Sequence, residues 1–210
     1  MSHVRGRSPA YRIVTARLVI RCWAPTDAPL MSAAIEANLE HLRPWMPWAM
    51  SEPISLDARI EWLRKCRGEF DLGRDFVYGI FDPAEKVLVG GTGLHTRGGP
   101  VAREIGYWIA KEHTRQGYCT EATAALTKIA FLLESMDRVE IHCDPRNTAS
   151  AAVPSRLGFT HEATLRRRTK GSDGQLRDSM VWSLLASQFP SSPCAGAEMT
   201  AFDCLGRRIL

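Results

Sequence analysis

Three strand-like runs lie almost end to end in the middle of this 210-residue chain: RDFVYGIFD (74–82), KVLVGGTGLHTR (86–97) and REIGYWIA (103–110). The short segments DPAE (82–85) and GGPV (98–101) join them. Both are turn sequences, and turns this short cannot carry a parallel crossover. The three runs therefore predict an antiparallel meander, which constrains the fold more than any other stretch. Next comes a helical pattern in which Ala122, Ala125, Leu126, Ile129, Ala130 and Leu133 recur at three- and four-residue spacing. A strand at 138–144, a short helix at about 148–156 and strands near 158–168 and 178–186 follow. Ahead of the meander, TARLVIRCW (15–23) alternates as a half-buried strand, and helices are expected from Asp27 to about 40 and from Ser55, the latter with Ala58, Trp62 and Leu63 inward. This order predicts an α/β mixed sheet with helices on both faces. One domain over 11–190 is expected, with flexible tails at 1–10 and 191–210.

Composition narrows the class of partner. The charge of +4 is too mild to argue for nucleic-acid binding but suits an anionic ligand. The one dense basic run, RRRTK at 166–170, reads as a solvated strand end. No apolar run reaches membrane-spanning length. The six cysteines are scattered without CxxC pairs or Cys/His clusters, so neither a disulfide framework nor a metal site is expected. A reduced, cytoplasmic protein is the expectation.

Two segments carry chemistry. In KEHTRQGYCT (111–120) a polar loop with one glycine opens the long helix. The first amides of a helix have no internal partner and, with the helix dipole, suit a phosphate. Arg115, Gln116, Gly117, Tyr118, Cys119 and Thr120 occupy that position, and Arg115 can add charge. An ordinary strand-to-helix connection explains the same residues, and neither a Walker loop nor a dinucleotide fingerprint is present. In DPRNTASAAVPSRLGF (144–159), Asn147 suits a helix N-cap. Pro154 lacks the N–H that would normally bond the Ser150 carbonyl, which is expected to be left without that donor beside a ligand.

Together with LRPWMPW (42–48) and TARLVIR, these segments resemble the GNAT superfamily of acyl-CoA-dependent N-acetyltransferases, and within it the Rim-type ribosomal-protein alanine acetyltransferases. The resemblance spans about 11–190 and implies a central, mostly antiparallel, splayed sheet with acetyl-CoA as cofactor. It implies pantetheine along Trp108 and Ile109, pyrophosphate on the amides of 115–120, and cofactor contacts from Asn147 and Ser150, the serine near the sulfur. Thr114 and Cys119 depart from the family's Gln/Arg and Gly/Ala, but both are small enough to leave the amides open. An acyl-cysteine at Cys119 is possible chemistry, but packing against the helix interior is the expected role.

The implied reaction is direct attack of an amine on the thioester, with an amide near Ile109 stabilising the oxyanion. Glu104 is the candidate base, with His95 and His113 behind it; Ser150 serves the leaving thiolate and Tyr107 is expected in the core. Trp45, Met46 and Trp48, with Tyr78 and His95, are expected to shape the acceptor site. The acceptor is a protein N-terminus or a small-molecule amine, and a CoA-binding module without turnover is the rival. Homodimer formation is left open.

Overall fold

The computed structural model describes residues 9–171 and 173–210. The expected N-terminal tail lies mostly outside the described residues. In chain order the elements are β1 (Arg12–Thr15), β2 (Val19–Cys22), α1 (Ala28–Ala37), α2 (Leu39–Leu42), α3 (Leu56–Asp71), β3 (Phe76–Phe81), β4 (Leu88–His95), β5 (Ala102–Ile109), α4 (Tyr118–Leu132), β6 (Arg138–Cys143), α5 (Thr148–Arg156), β7 (Thr160–Lys170), β8 (Leu176–Leu185) and β9 (Met199–Phe202). One sheet holds the nine strands of the described residues in the order β7-β8-β6-β5-β4-β3-β2-β1-β9. The predicted meander is β3-β4-β5, antiparallel throughout. Among the described residues only β5 and β6 run parallel, as their connection through α4 requires.

That parallel pair positions everything that follows. Its register covers Ala102, Arg103 and Glu104 against Arg138, Val139 and Glu140, and then the two strands part. Beyond Glu104, β5 stays paired with β4 as far as Ile109, while β6 follows β8. The sheet is thus forked, and residues 105–109 carry a backbone edge with no strand beside it among the described residues. Strand alternation assigns that edge. The Ala110 amide bonds Val89 of β4, and a Cβ on Gly90 would lie 2.2 Å from the Trp108 carbonyl. Even-numbered residues of this stretch therefore turn their backbone groups toward β4, and odd-numbered ones, including Ile109, toward the fork.

Helix α4 covers one face of the sheet, and every apolar position predicted to face inward is buried, from Ala122 to Leu133. On the other face, Met31 and Ile35 of α1 and Leu63 of α3 pack on Val19, Phe81 and Leu88. Helix α3 does begin after Ser55, whose hydroxyl accepts from the Ala58 amide at 3.2 Å. Its buried side, however, carries Arg59, Leu63 and Phe70, while Ala58 is exposed and Trp62 is 38% exposed. Leu63 is inward as expected but Ala58 and Trp62 are not, because Arg59 enters the interior as one half of an ion pair, 2.6 Å from Glu52. A charge so paired can be buried where an isolated one cannot.

The second correction concerns the C-terminus. Residues 191–210 are not a loose tail. Strand β9 pairs with β1 from Arg12↔Phe202 to Thr15↔Met199, Cys194 and Ala201 are fully buried, and Lys128 of α4 donates to the carbonyls of Ala195 and Ala197. Four residues of strand are too short for a periodic signal, and they are held by a partner almost the whole chain away. The basic run at 166–170 does lie on an exposed edge strand, as expected.

Candidate active site

The fork opens into a cleft of about 690 Å³ lying between β5, the start of α4, the start of α5 and residues 41–46. On one side the chain enters α4 through a strained loop. Arg115 has φ 61° and Gly117 φ 82°, left-handed values that are costly for a side chain and ordinary for glycine. The first helical bond, from Glu121 N to Gly117 O at 3.0 Å, leaves the amides from Gly117 to Thr120 without helical partners.

Arg17, a hundred residues earlier, braces this loop. It donates to the Gln116 carbonyl at 2.9 Å and to Glu121 at 2.7 Å, and its guanidinium lies 4.6 Å from the centre of the Tyr118 ring. Sequence reasoning passed over Arg17, since nothing local connects it to residue 117. Arg115 and Arg156 also border the loop without an ion pair among the described residues, whereas Arg146 is held by Asp144 at 2.8 Å. The result is a cradle of open amides and unpaired cations, suited to phosphates.

Across the cleft, Asn147 caps α5: its Oδ1 accepts from Ser150 N at 3.1 Å, which leaves its amide nitrogen free to donate. The Ser150 carbonyl does lack a donor at residue 154, but it is not unpaired. Tyr107 of β5 donates its hydroxyl to it at 3.0 Å, and the Ser150 hydroxyl donates back to Tyr107 at 3.3 Å. Tyr107 was expected in the core. Instead it is half-buried and lines the cleft, bridging the two arms of the fork. Burial pushes its phenol well above the usual range, so it stays a donor. Burial also pushes the Cys119 thiol up to about 12, which makes it a poor nucleophile.

Of the expected acceptor residues, Trp45 and Met46 line the cleft, joined by His41 and Leu42, which sequence reasoning had not singled out. The Trp108 indole rests on Gly91, where a Cβ would come within 2.5 Å, and Trp48 sits against it with ring centres 6.3 Å apart. Trp48 backs the wall and does not itself form it. Tyr78 is corrected outright: it is fully buried, edge-on to Phe70, in the core. His95 lies outside the cleft with Nδ1 3.0 Å from Asp75. Burial alone would raise the Asp75 carboxyl, but the His95 hydrogen bond and charge hold it below the ordinary range. Glu104 stands at the point of the fork, ion-paired with Arg97 at 3.1 Å, and is not part of the cleft wall. Gln116 likewise faces away, its side chain donating to the Glu112 carbonyl.

A sheet forked between its two parallel strands, with a phosphate cradle on one arm and a serine on the other, defines an acyl-CoA transferase. The model of the acetyltransferase (GNAT) domain matches residues 17–160, and the chain belongs to that family. It is an N-acetyltransferase with acetyl-CoA as its cofactor. It is 28% identical over 185 residues to the [ribosomal protein uS5]-alanine N-acetyltransferase of Escherichia coli (strain K12), covering 86% of this chain and 93% of that protein. It is 30% identical over 182 residues to YdaF of Bacillus subtilis (strain 168), covering 84% and 95%. In fold it matches the ribosomal-protein-S5-alanine acetyltransferase of Vibrio fischeri with a TM-score of 0.74 at 20% identity, over 85% of this chain and 98% of that one.

Proposed function

We propose that the enzyme acetylates the α-amine of a protein N-terminus by direct attack on acetyl-CoA. One observation carries the choice of acceptor: among the described residues no carboxylate lines the cleft. Its acceptor end is built from His41, Leu42, Trp45, Met46 and Trp108, an apolar and aromatic wall that suits the first residues of a peptide. A small polyamine or aminoglycoside would need anionic partners there. The ribosomal-protein specificity in the name of the Escherichia coli relative supports the same reading, and a cytoplasmic location is part of the proposal.

In this reading the pyrophosphate of acetyl-CoA rests on the amides of 117–120 with Arg115 and Arg156 beside it, and pantetheine follows the free edge of β5. That edge is presented by Ile109; the Trp108 carbonyl is already turned to β4. The Ile109 amide also receives the developing oxyanion. Asn147 holds the pantetheine arm through its free amide nitrogen, and Ser150 hydrogen-bonds the departing thiolate. The amine's proton passes through water to Glu104 at the point of the fork.

Thiol release from acetyl-CoA, measured across a panel of N-terminal peptides and small amines, tests the acceptor. Turnover is expected with peptides and not with polyamines or aminoglycosides; the reverse pattern would sink the reading. In the same assay Glu104→Gln is expected to lower kcat by about tenfold or more with little change in the KM for acetyl-CoA.

A further inference from the structure

The cleft contains one polar contact that the reaction as described does not use. Ser150 and Pro154 are four residues apart in α5, so the amide that would normally close the turn at the Ser150 carbonyl is absent. A carbonyl left bare at the cleft wall would let the first turn of the helix shift, and the serine hydroxyl would shift with it. The missing donor comes from the other arm of the fork, as the Tyr107 hydroxyl at 3.0 Å.

We propose that Tyr107 is a positioning residue for Ser150. Its phenol replaces the hydrogen bond that Pro154 denies the Ser150 carbonyl and so fixes the serine hydroxyl at the leaving sulfur. The inference rests on the assignment of Ser150 to the leaving group. The geometry suits this task because the two hydrogen bonds differ. The phenol's only proton goes to the carbonyl, leaving its oxygen as an acceptor. The serine proton reaches that oxygen over the longer 3.3 Å contact, weak enough to be exchanged for a thiolate. The serine is thus held by its backbone while its hydroxyl remains available. Because Tyr107 contributes nothing else to the sulfur, it acts through Ser150 alone.

Pro154 makes this testable, since an alanine there returns the missing amide. Tyr107→Phe is expected to lower kcat about tenfold while the KM for acetyl-CoA changes no more than about twofold. Pro154→Ala alone should stay within about threefold of the parent enzyme, and in the Tyr107→Phe background it should restore kcat to about that level. Ser150→Ala should lower kcat, and adding Tyr107→Phe to it should cost nothing further.

If Ser150→Ala lowers kcat and Tyr107→Phe does not, Tyr107 has no positioning role. A Tyr107→Phe defect that Pro154→Ala leaves unrepaired would show that the phenol works by some other route. An unaltered rate in Ser150→Ala removes the leaving-group assignment, and this inference with it. Should Tyr107→Phe fail to fold, recovery of fold and rate in the double variant supports the proposal. Failure of both to fold makes Tyr107 a core residue and overturns it.

Discussion

At the scale of single residues, Gly117 shows how one position serves two needs. Its φ of 82° is tolerable without a Cβ, and the missing side chain keeps the amides of α4 within reach of an anion. Gly117→Glu should fail on both counts, adding roughly 1–2 kcal/mol of backbone strain and placing a carboxylate where the proposed pyrophosphate would rest. Calorimetric titration is expected to show acetyl-CoA affinity lower by at least about tenfold. Unchanged affinity would mean that the phosphates sit elsewhere. Glycine at a helix mouth was legible in the chain. The two cations beside it, Arg115 and Arg156, were only half so, because Arg156 reaches the cleft by way of α5.

The helices show where periodicity speaks and where it misleads. In α4 every position named by the apolar spacing is buried, and Thr123, Ala124, Thr127 and Phe131, which it did not name, are buried beside them. In α3 it placed Leu63 correctly but not Ala58 or Trp62, because Arg59 is buried against Glu52, which lies outside the helix. With side chains only 4% and 7% exposed, this pair stands or falls as a unit. Arg59→Ala, which strands the Glu52 carboxylate, is expected to cost about 3–5 kcal/mol in urea denaturation. Replacing both residues with leucine or methionine should cost much less. If the single and double variants proved equally unstable, packing around the arginine stem and not the stranded charge would be the cause. The fork itself is an element-scale feature: register over three residue pairs and then divergence cannot be read from either strand alone.

Over the whole molecule, the first and last strands in sequence, β1 and β9, meet beside the loop before α4. Strand β9 covers the edge of β1, β1 leads into the turn that carries Arg17, and Arg17 braces the loop before α4. Pro193 and Ala197 line the groove next to that loop together with Arg115 and Arg156. A chain ending at residue 190 is therefore expected to lose both stability and acetyl-CoA affinity. A fall in Tm of about 10 °C is expected, corresponding to roughly 3–5 kcal/mol for a chain of this size. A truncated protein with unchanged Tm would show that the edge of β1 needs no cover.

What the amino-acid order determined by itself was everything with a local cause. Short turns dictated the meander, an apolar stripe dictated α4, and the left-handed glycine and the Asn147 cap marked both mouths of the cleft. The missing amide of Pro154 was also visible, although what replaces it was not. The tertiary structure alone decided which distant groups answer these local needs. Tyr107 reaches Ser150 across 43 positions, Arg17 reaches Gln116 across 99, and β9 closes on β1. Unsatisfied donors, acceptors and strand edges are written into the chain wherever they arise. Their partners are set by which surfaces the packed sheet brings within about 3 Å, and that distance exists only after folding.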